Sequence, residues 1–164
     1  MAMICTLESV LSQEDLKICQ TAVVEDQLYK IHSSTASTSP NFMASNLGED
    51  SNPVYQKILD SVYSKNILQA GFSVIRAYVN VNSSGHCNGG SFHEDDGNIT
   101  ILYYPCVWRS SYKGGTEFSG GKVIEYVENR AVLFDANIPH RAAPHFNPNG
   151  FRFSVAFKTD ARWA

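Results

Sequence analysis

The chain has 164 residues, 43% hydrophobic and 18% charged, enough to bury a core without disulfides and too apolar for disorder. A net charge of −3 with no basic run disfavours a nucleic-acid partner, whose phosphates call for a cationic face. The length suits one domain over residues 1–164, and no apolar stretch approaches the roughly 18 residues of a membrane span.

The opening MAMICTLESVLSQEDL lacks a charged leader region and turns acidic early. The cysteines (Cys5, Cys19, Cys87, Cys106) form no CxxC pair, so the expectation is a cytoplasmic chain with reduced thiols. Ser12, with Asp15 three residues on, predicts a helix start, and LKICQTAVVEDQLYKI continues with apolar residues at near-helical spacing. Residues 33–50 are small, polar and aperiodic, and read as a loop. Asn52-Pro53 opens a second predicted helix, VYQKILDSVYSKNILQA, which Gly71 ends. Residues 1–70 thus read as helical.

After Gly71 the period changes. FSVIRAYVNV, NITILYY, GTEFSG, KVIEYV, AVLFD and FRFSVAFK are short runs of β-branched and aromatic residues bounded by turn formers. Such runs without intervening helices imply an antiparallel sandwich or barrel over residues 71–160, of about eight strands. The fold class is mainly β with N-terminal helices (α+β).

The chemistry concentrates in this β body. In Ser91-Phe92-His93-Glu94-Asp95-Asp96-Gly97, strand alternation would project His93 and Asp95 to one side and turn Glu94 and Asp96 away. His140 follows 45 residues after Asp95. Two imidazoles and one carboxylate on one face form the facial triad of non-haem Fe(II) sites. Each piece alone is bland, since an HEDDG turn is more often a solvated loop and a histidine after proline usually lies at the surface. Arg152, twelve residues past His140, shares a face with Ser154, while Phe151, Phe153, Val155 and Phe157 share the other. A guanidinium aimed into a barrel needs an anion, because a buried unpaired charge costs several kcal/mol. A salt bridge from Arg152 to an internal Asp or Glu is the alternative for that residue. His145 competes with His140 as third ligand but precedes a turn and is expected to be exposed. His86 and Cys87 lack partners at zinc-like spacing. Arg76, Asn98 and Arg109 are open candidates for substrate contact.

These residues resemble the Fe(II)/2-oxoglutarate-dependent dioxygenases, particularly their prolyl-hydroxylase-like branch. The resemblance covers about residues 72–158 and rests on His93-x-Asp95, Ile101-Leu102-Tyr103-Tyr104 with Trp108 after it, Gly114-Gly115-Thr116-Glu117-Phe118, Val132-Leu133-Phe134-Asp135, Pro139-His140-Arg141 and Arg152-x-Ser154. It implies a double-stranded β-helix, or jelly roll, backed by about two helices. It also implies that His93, Asp95 and His140 bind Fe(II), and that Arg152, supported by Ser154, pairs with the distal carboxylate of 2-oxoglutarate. Tyr104 occupies the place of a tyrosine that bonds the same carboxylate, with Tyr103 the fallback if the register slips. Tyr78 sits where relatives keep a pocket tyrosine; a core aromatic is the other reading. O2 would be the oxidant and ascorbate an auxiliary reductant.

The departures are a long Gly-rich loop over 80–91, a short turn after Asp95, and Tyr104-Pro105-Cys106 where many relatives have Tyr-Leu-Asn. The loops 33–50 and 80–91 are candidate lid segments. A prolyl or other residue in a peptide or protein ranks first as substrate, and a free amino acid or small metabolite second. The rivals are a non-catalytic jelly-roll module that binds metal, and a cupin-like metal enzyme that would have no need of Arg152 with Ser154.

Overall fold

The computed structural model describes residues 2–25, 30–32, 41–45, 47, 51–84 and 90–164, with 30–32 and 41–45 as backbone alone. In chain order these residues form β1 (Ile4–Leu7), α1 (Gln13–Glu25), β2 (Lys30–His32), β3 (Asn41–Ser45), α2 (Val54–Tyr63), β4 (Val74–Ser83), β5 (Ile99–Tyr104), β6 (Thr116–Phe118), β7 (Val123–Ile124), β8 (Arg130–Asp135), β9 (His140–Ala142) and β10 (Phe151–Thr159). One antiparallel sheet runs β1-β8-β5-β10-β4-β3-β2, and a smaller one runs β7-β6-β9. The result is the expected double-stranded β-helix with two helices.

The Ser12 cap forms: its hydroxyl accepts the Asp15 amide at 3.1 Å. From it α1 buries Leu16, Cys19, Ala22 and Val23. The Asn52 side chain accepts the Val54 amide at 3.1 Å and so opens α2.

Four expectations need correction. The first helix ends at Glu25 instead of reaching Ile31, because residues 30–32 pair with β3. The segment 33–50 is not all loop: residues 41–45 add β3 to the edge of β4, while 33–40, 46 and 48–50 lie outside the described residues. The second helix stops at Tyr63 rather than at Gly71. Beyond it the C-terminal residues capture the chain, with the Gln69 amide on the Arg162 carbonyl at 2.8 Å and the Ala164 amide on the Ile67 carbonyl at 3.0 Å. Last, β1 pairs in register with β8, so residues 1–70 are not helical throughout but contribute three strands.

Period-two alternation divides the large sheet. Ala77, Val79, Ile101, Tyr103, Leu133, Val155 and Phe157 pack beneath the helices with Ile58, Val62 and Val23. Their neighbours Tyr78, Leu102, Tyr104, Val132, Phe134 and Ala156 face the interior between the sheets, against Phe118 and Tyr126. Both faces are therefore buried, one against helices and one against the small sheet.

Asn129 fastens the N-terminal segment to this frame. It is 5% exposed and adopts φ +62°. Its Oδ1 accepts the Leu11 amide and the Tyr103 hydroxyl, each at 2.8 Å, and its Nδ2 donates to the Leu11 carbonyl at 2.8 Å. Asparagine tolerates a left-handed backbone better than alanine does. Asn129→Ala is expected to cost about 3 kcal/mol, through lost bonds and buried groups left unpaired. Urea unfolding measures this, and a wild-type midpoint would contradict the fastening role.

Candidate functional site

Three backbone contacts bring the metal-ligating candidates together. The His93 amide donates to the His140 carbonyl at 3.0 Å, and the His140 amide returns the bond to the His93 carbonyl at 2.9 Å. The Asp95 amide donates to the Ala136 carbonyl at 2.8 Å. His93 and Asp95 do not lie in a regular strand; a single bridge to His140 does the work that strand alternation was expected to do. Their ligand atoms lie within 4.8 Å of one another. Asp96 is exposed and pairs with Arg76 at 2.8 Å, outside the cluster.

Tautomers follow from the carbonyls behind each ring. His140 Nδ1 lies 2.9 Å from the Ile138 carbonyl, and His93 Nδ1 lies 3.3 Å from the Ser91 carbonyl. A carbonyl only accepts, so each Nδ1 carries the proton and each ring presents its Nε2 to Asp95. His140 Nε2 stands 3.2 Å from Asp95 Oδ2, and His93 Nε2 stands 3.8 Å from Oδ1. Burial, with His140 beside it, lowers the His93 pKa and favours the neutral ring. Two imidazole nitrogens and an ionised carboxylate converging within 4.8 Å fit a divalent first-row cation with open positions opposite.

The Asp95 side chain is 2% exposed. Burial alone would push its carboxyl up, but the Lys158 ammonium and His140 outweigh that and hold it well below the usual carboxylate range. Lys158 Nζ makes a very short contact with Asp95 Oδ2, and the Thr100 hydroxyl donates to the same oxygen at 2.7 Å. Burial would lower the Lys158 pKa, yet Tyr78 and Asp95 keep it raised, so the ammonium persists.

Lys158 was not anticipated from the sequence. The signal was present, because alternation from Arg152 through Ser154 and Ala156 puts position 158 on the same face. All four line one cavity together with His93, His140, Tyr78, Asn80, Asn82 and Thr116.

Arg152 lies at the other end of this cavity and is 2% exposed. Its Nη1 donates to Asn82 Oδ1 at 3.0 Å and its Nη2 to the Gly115 carbonyl at 3.4 Å, while Nε makes a very short bond to the Gly114 carbonyl. Each of these acceptors is neutral. The expected alternative, an internal Asp or Glu on Arg152, is absent among the described residues. Gly114-Gly115 must stay small to hold this cradle. A Cβ on Gly115 would lie 2.0 Å from the Ile124 carbonyl oxygen, and Gly114 has φ +79° with His145 Cβ 2.6 Å from its virtual Cβ.

The two tyrosines part company. Tyr104 faces inward, its ring 5.4 Å from the Arg152 guanidinium carbon and its hydroxyl 2.5 Å from that of Thr116. Tyr103 faces the helices and donates to Asn129. Burial raises the Tyr104 pKa despite the nearby guanidinium, so it remains a phenol. Ser154 is 1% exposed on the cavity wall. Asn80 Oδ1, on the same wall, is buried without a hydrogen-bond partner among the described residues.

Other expectations fare less well. His145 is not exposed but 3% accessible, because Nε2 lies 2.9 Å from the Asn82 carbonyl and Trp108 packs beside it. It stays outside the metal-ligand cluster. Asn98 Nδ2 donates to the Asp160 carbonyl, and Arg109 is exposed. His86 and Cys87 lie outside the described residues, as do 85, 88 and 89 of the supposed loop over 80–91, whereas residues 80–83 are not loop but continue β4, paired with β10. Cys5, Cys19 and Cys106 are free thiols. No helix among the described residues is long and apolar enough to cross a membrane.

No family model and no curated protein matches the sequence. Solved structures do match. The viral collagen prolyl hydroxylase vCPH from Paramecium Bursaria Chlorella virus-1, in its 2-oxoglutarate complex, superposes with TM-score 0.69 at 12% identity, over 95% of this chain and 94% of that one. HygX from Streptomyces hygroscopicus, with nickel, 2-oxoglutarate and hygromycin B bound, gives TM-score 0.69 at 8% identity, over 96% and 82%. A Pseudomonas putida prolyl-4-hydroxylase gives 0.64 at 12% identity, over 96% and 93%. The chain therefore shares the fold of 2-oxoglutarate/Fe(II) oxygenases.

The metal candidates can be tested directly. Mn(II) or Zn(II) is expected to raise the melting temperature of the wild type, because a ligand bound only to the native state stabilises it. In His140→Ala and Asp95→Ala that metal-dependent rise is expected to vanish. Calorimetry with and without chelator checks this, and an undiminished rise in both variants would dismiss the cluster.

Proposed function

We propose that this protein is an Fe(II)- and 2-oxoglutarate-dependent dioxygenase that hydroxylates a C–H bond, with a prolyl or other residue in a peptide as substrate. One observation carries the reading. A buried guanidinium without an acidic partner among the described residues lines the same cavity as a His-Asp-His cluster. A dicarboxylate that is also a metal chelator answers both needs at once.

In this reading His93, Asp95 and His140 hold the iron. Arg152 takes the far carboxylate of 2-oxoglutarate through guanidinium valences beyond those on Asn82 and the two glycine carbonyls. Ser154 and Tyr104 support that end, and Tyr78 forms the wall nearer the metal. When bound, the pair supplies the oxidising chemistry: O2 and 2-oxoglutarate are converted to succinate and CO2, with one oxygen atom delivered to the substrate carbon. The chain's own task is positional, since the polar groups around Asp95 and Arg152 are already oriented before ligands arrive.

The prolyl assignment rests on likeness to two prolyl hydroxylases. A second reading, hydroxylation of a small polar metabolite, is favoured by the likeness to HygX and by the Asn80 oxygen in the cavity, which has no partner among the described residues and calls for a donor.

Succinate release with Fe(II) and ascorbate, across proline-containing peptides, free amino acids and aminoglycosides, separates these readings. Stimulation by peptides alone supports the first, and stimulation by small molecules alone supports the second. Arg152→Met is expected to raise the 2-oxoglutarate requirement about 10- to 100-fold, by loss of a charge-assisted pair, with the iron requirement changed much less. An unaltered 2-oxoglutarate requirement would refute the cosubstrate assignment.

A further inference from the structure

Lys158 lies 3% exposed in the cavity, and its acidic partner is Asp95, the same carboxylate the iron would take. The role inferred for this lysine rests on the 2-oxoglutarate reading of the cavity. The Lys158 ammonium sits 5.5 Å from the centre of the Tyr78 ring, and Tyr78 pairs with Ala156. The Arg152 guanidinium carbon sits 5.4 Å from the centre of the Tyr104 ring, one residue beyond the Val155–Tyr103 pair. Lys158 and Arg152 both line the cavity that His93 and His140 also line.

Charge balance gives this arrangement a consequence. Without ligands, Asp95 and Lys158 neutralise each other. A divalent cation on Asp95 leaves the ammonium facing like charge across one shared carboxylate, where little water can screen it. An anion arriving on the metal restores the balance. Thr100 also donates to Asp95 Oδ2, so the carboxylate has an orienting bond besides the ammonium.

We propose that Lys158 makes the metal and the keto acid bind cooperatively: its charge opposes the metal alone and favours the metal together with the carboxylate nearest it. The coupling is reciprocal, as any linkage between two binding sites must be. It would keep the iron weakly held until the cosubstrate is present.

Mn(II) affinity, read from the resonance signal of the free ion, is measured with and without saturating 2-oxoglutarate. Lys158→Met is expected to bind Mn(II) alone about 10-fold more tightly than wild type, and to lose about 10-fold of the tightening that 2-oxoglutarate gives, within the usual range of site coupling. Lys158→Arg, which keeps the charge, is expected to retain the wild-type tightening. Equal tightening in wild type and Lys158→Met overturns the proposal, as does loss of tightening in Lys158→Arg. Should Lys158→Met fail to fold, Lys158→Gln carries the same comparison without a charge. Arg152→Met separates the coupling from the cosubstrate reading. If it leaves 2-oxoglutarate binding at the wild-type level, the cosubstrate reading falls and the coupling with it. If it weakens that binding while Lys158→Met leaves the coupling intact, the coupling alone falls.

Discussion

β10 buries two cations on one face while its other face supplies Val155 and Phe157 to the core beneath the helices. Moving the strand to relieve the charges would strip that core, so the cavity must accommodate them in place. Lys158 is matched by Asp95. Arg152 has neutral acceptors and two aromatic rings, Tyr104 and Tyr126, each 5.4 Å from its guanidinium carbon. Hydrogen bonds to carbonyls orient a guanidinium but leave its charge uncompensated, a state worth several kcal/mol to any anion that can reach it. A cavity organised this way is poised for an acid.

The rest of the fold holds that arrangement steady. The reciprocal bond between His93 and His140 ties the metal-motif segment to β9 of the small sheet, and β9 pairs through Phe118 with β6. Gly114-Gly115, immediately before β6, places two carbonyls on Arg152. The small sheet therefore touches both ends of the site: one through His140, the other through the turn that cradles the guanidinium. Asn82 adds a third tie, since its side chain receives Arg152 and its carbonyl receives His145.

Likeness to oxygenases at 8–12% identity is a statement about architecture, and a jelly roll serves many chemistries. Function is carried by this chain's own side chains. Two imidazoles aimed at an ionised carboxylate, and a buried guanidinium without an acid among the described residues, are features that packing alone does not require. A non-catalytic module could keep the first; it would have no use for the second.

The order of runs after Gly71, the two helix caps, and the sorting of Arg152 and Ser154 from Val155 and Phe157 are legible in the chain because they are local. Alternation and capping depend on backbone geometry over two to four residues. His93-x-Asp95 and His140 were legible as residue types, but their meeting depends on a bridge between His93 and His140, 47 residues apart. Tertiary structure alone decided that Tyr104 and not Tyr103 turns to the interior between the sheets, that His145 is buried, and that Lys158 stands on Asp95. It also ended the second helix at Tyr63, where residues 67–69 find partners near the C-terminus. Each of these outcomes is a competition between distant partners for the same backbone or the same charge. The winner is set by which surfaces the assembled sheets bring within reach.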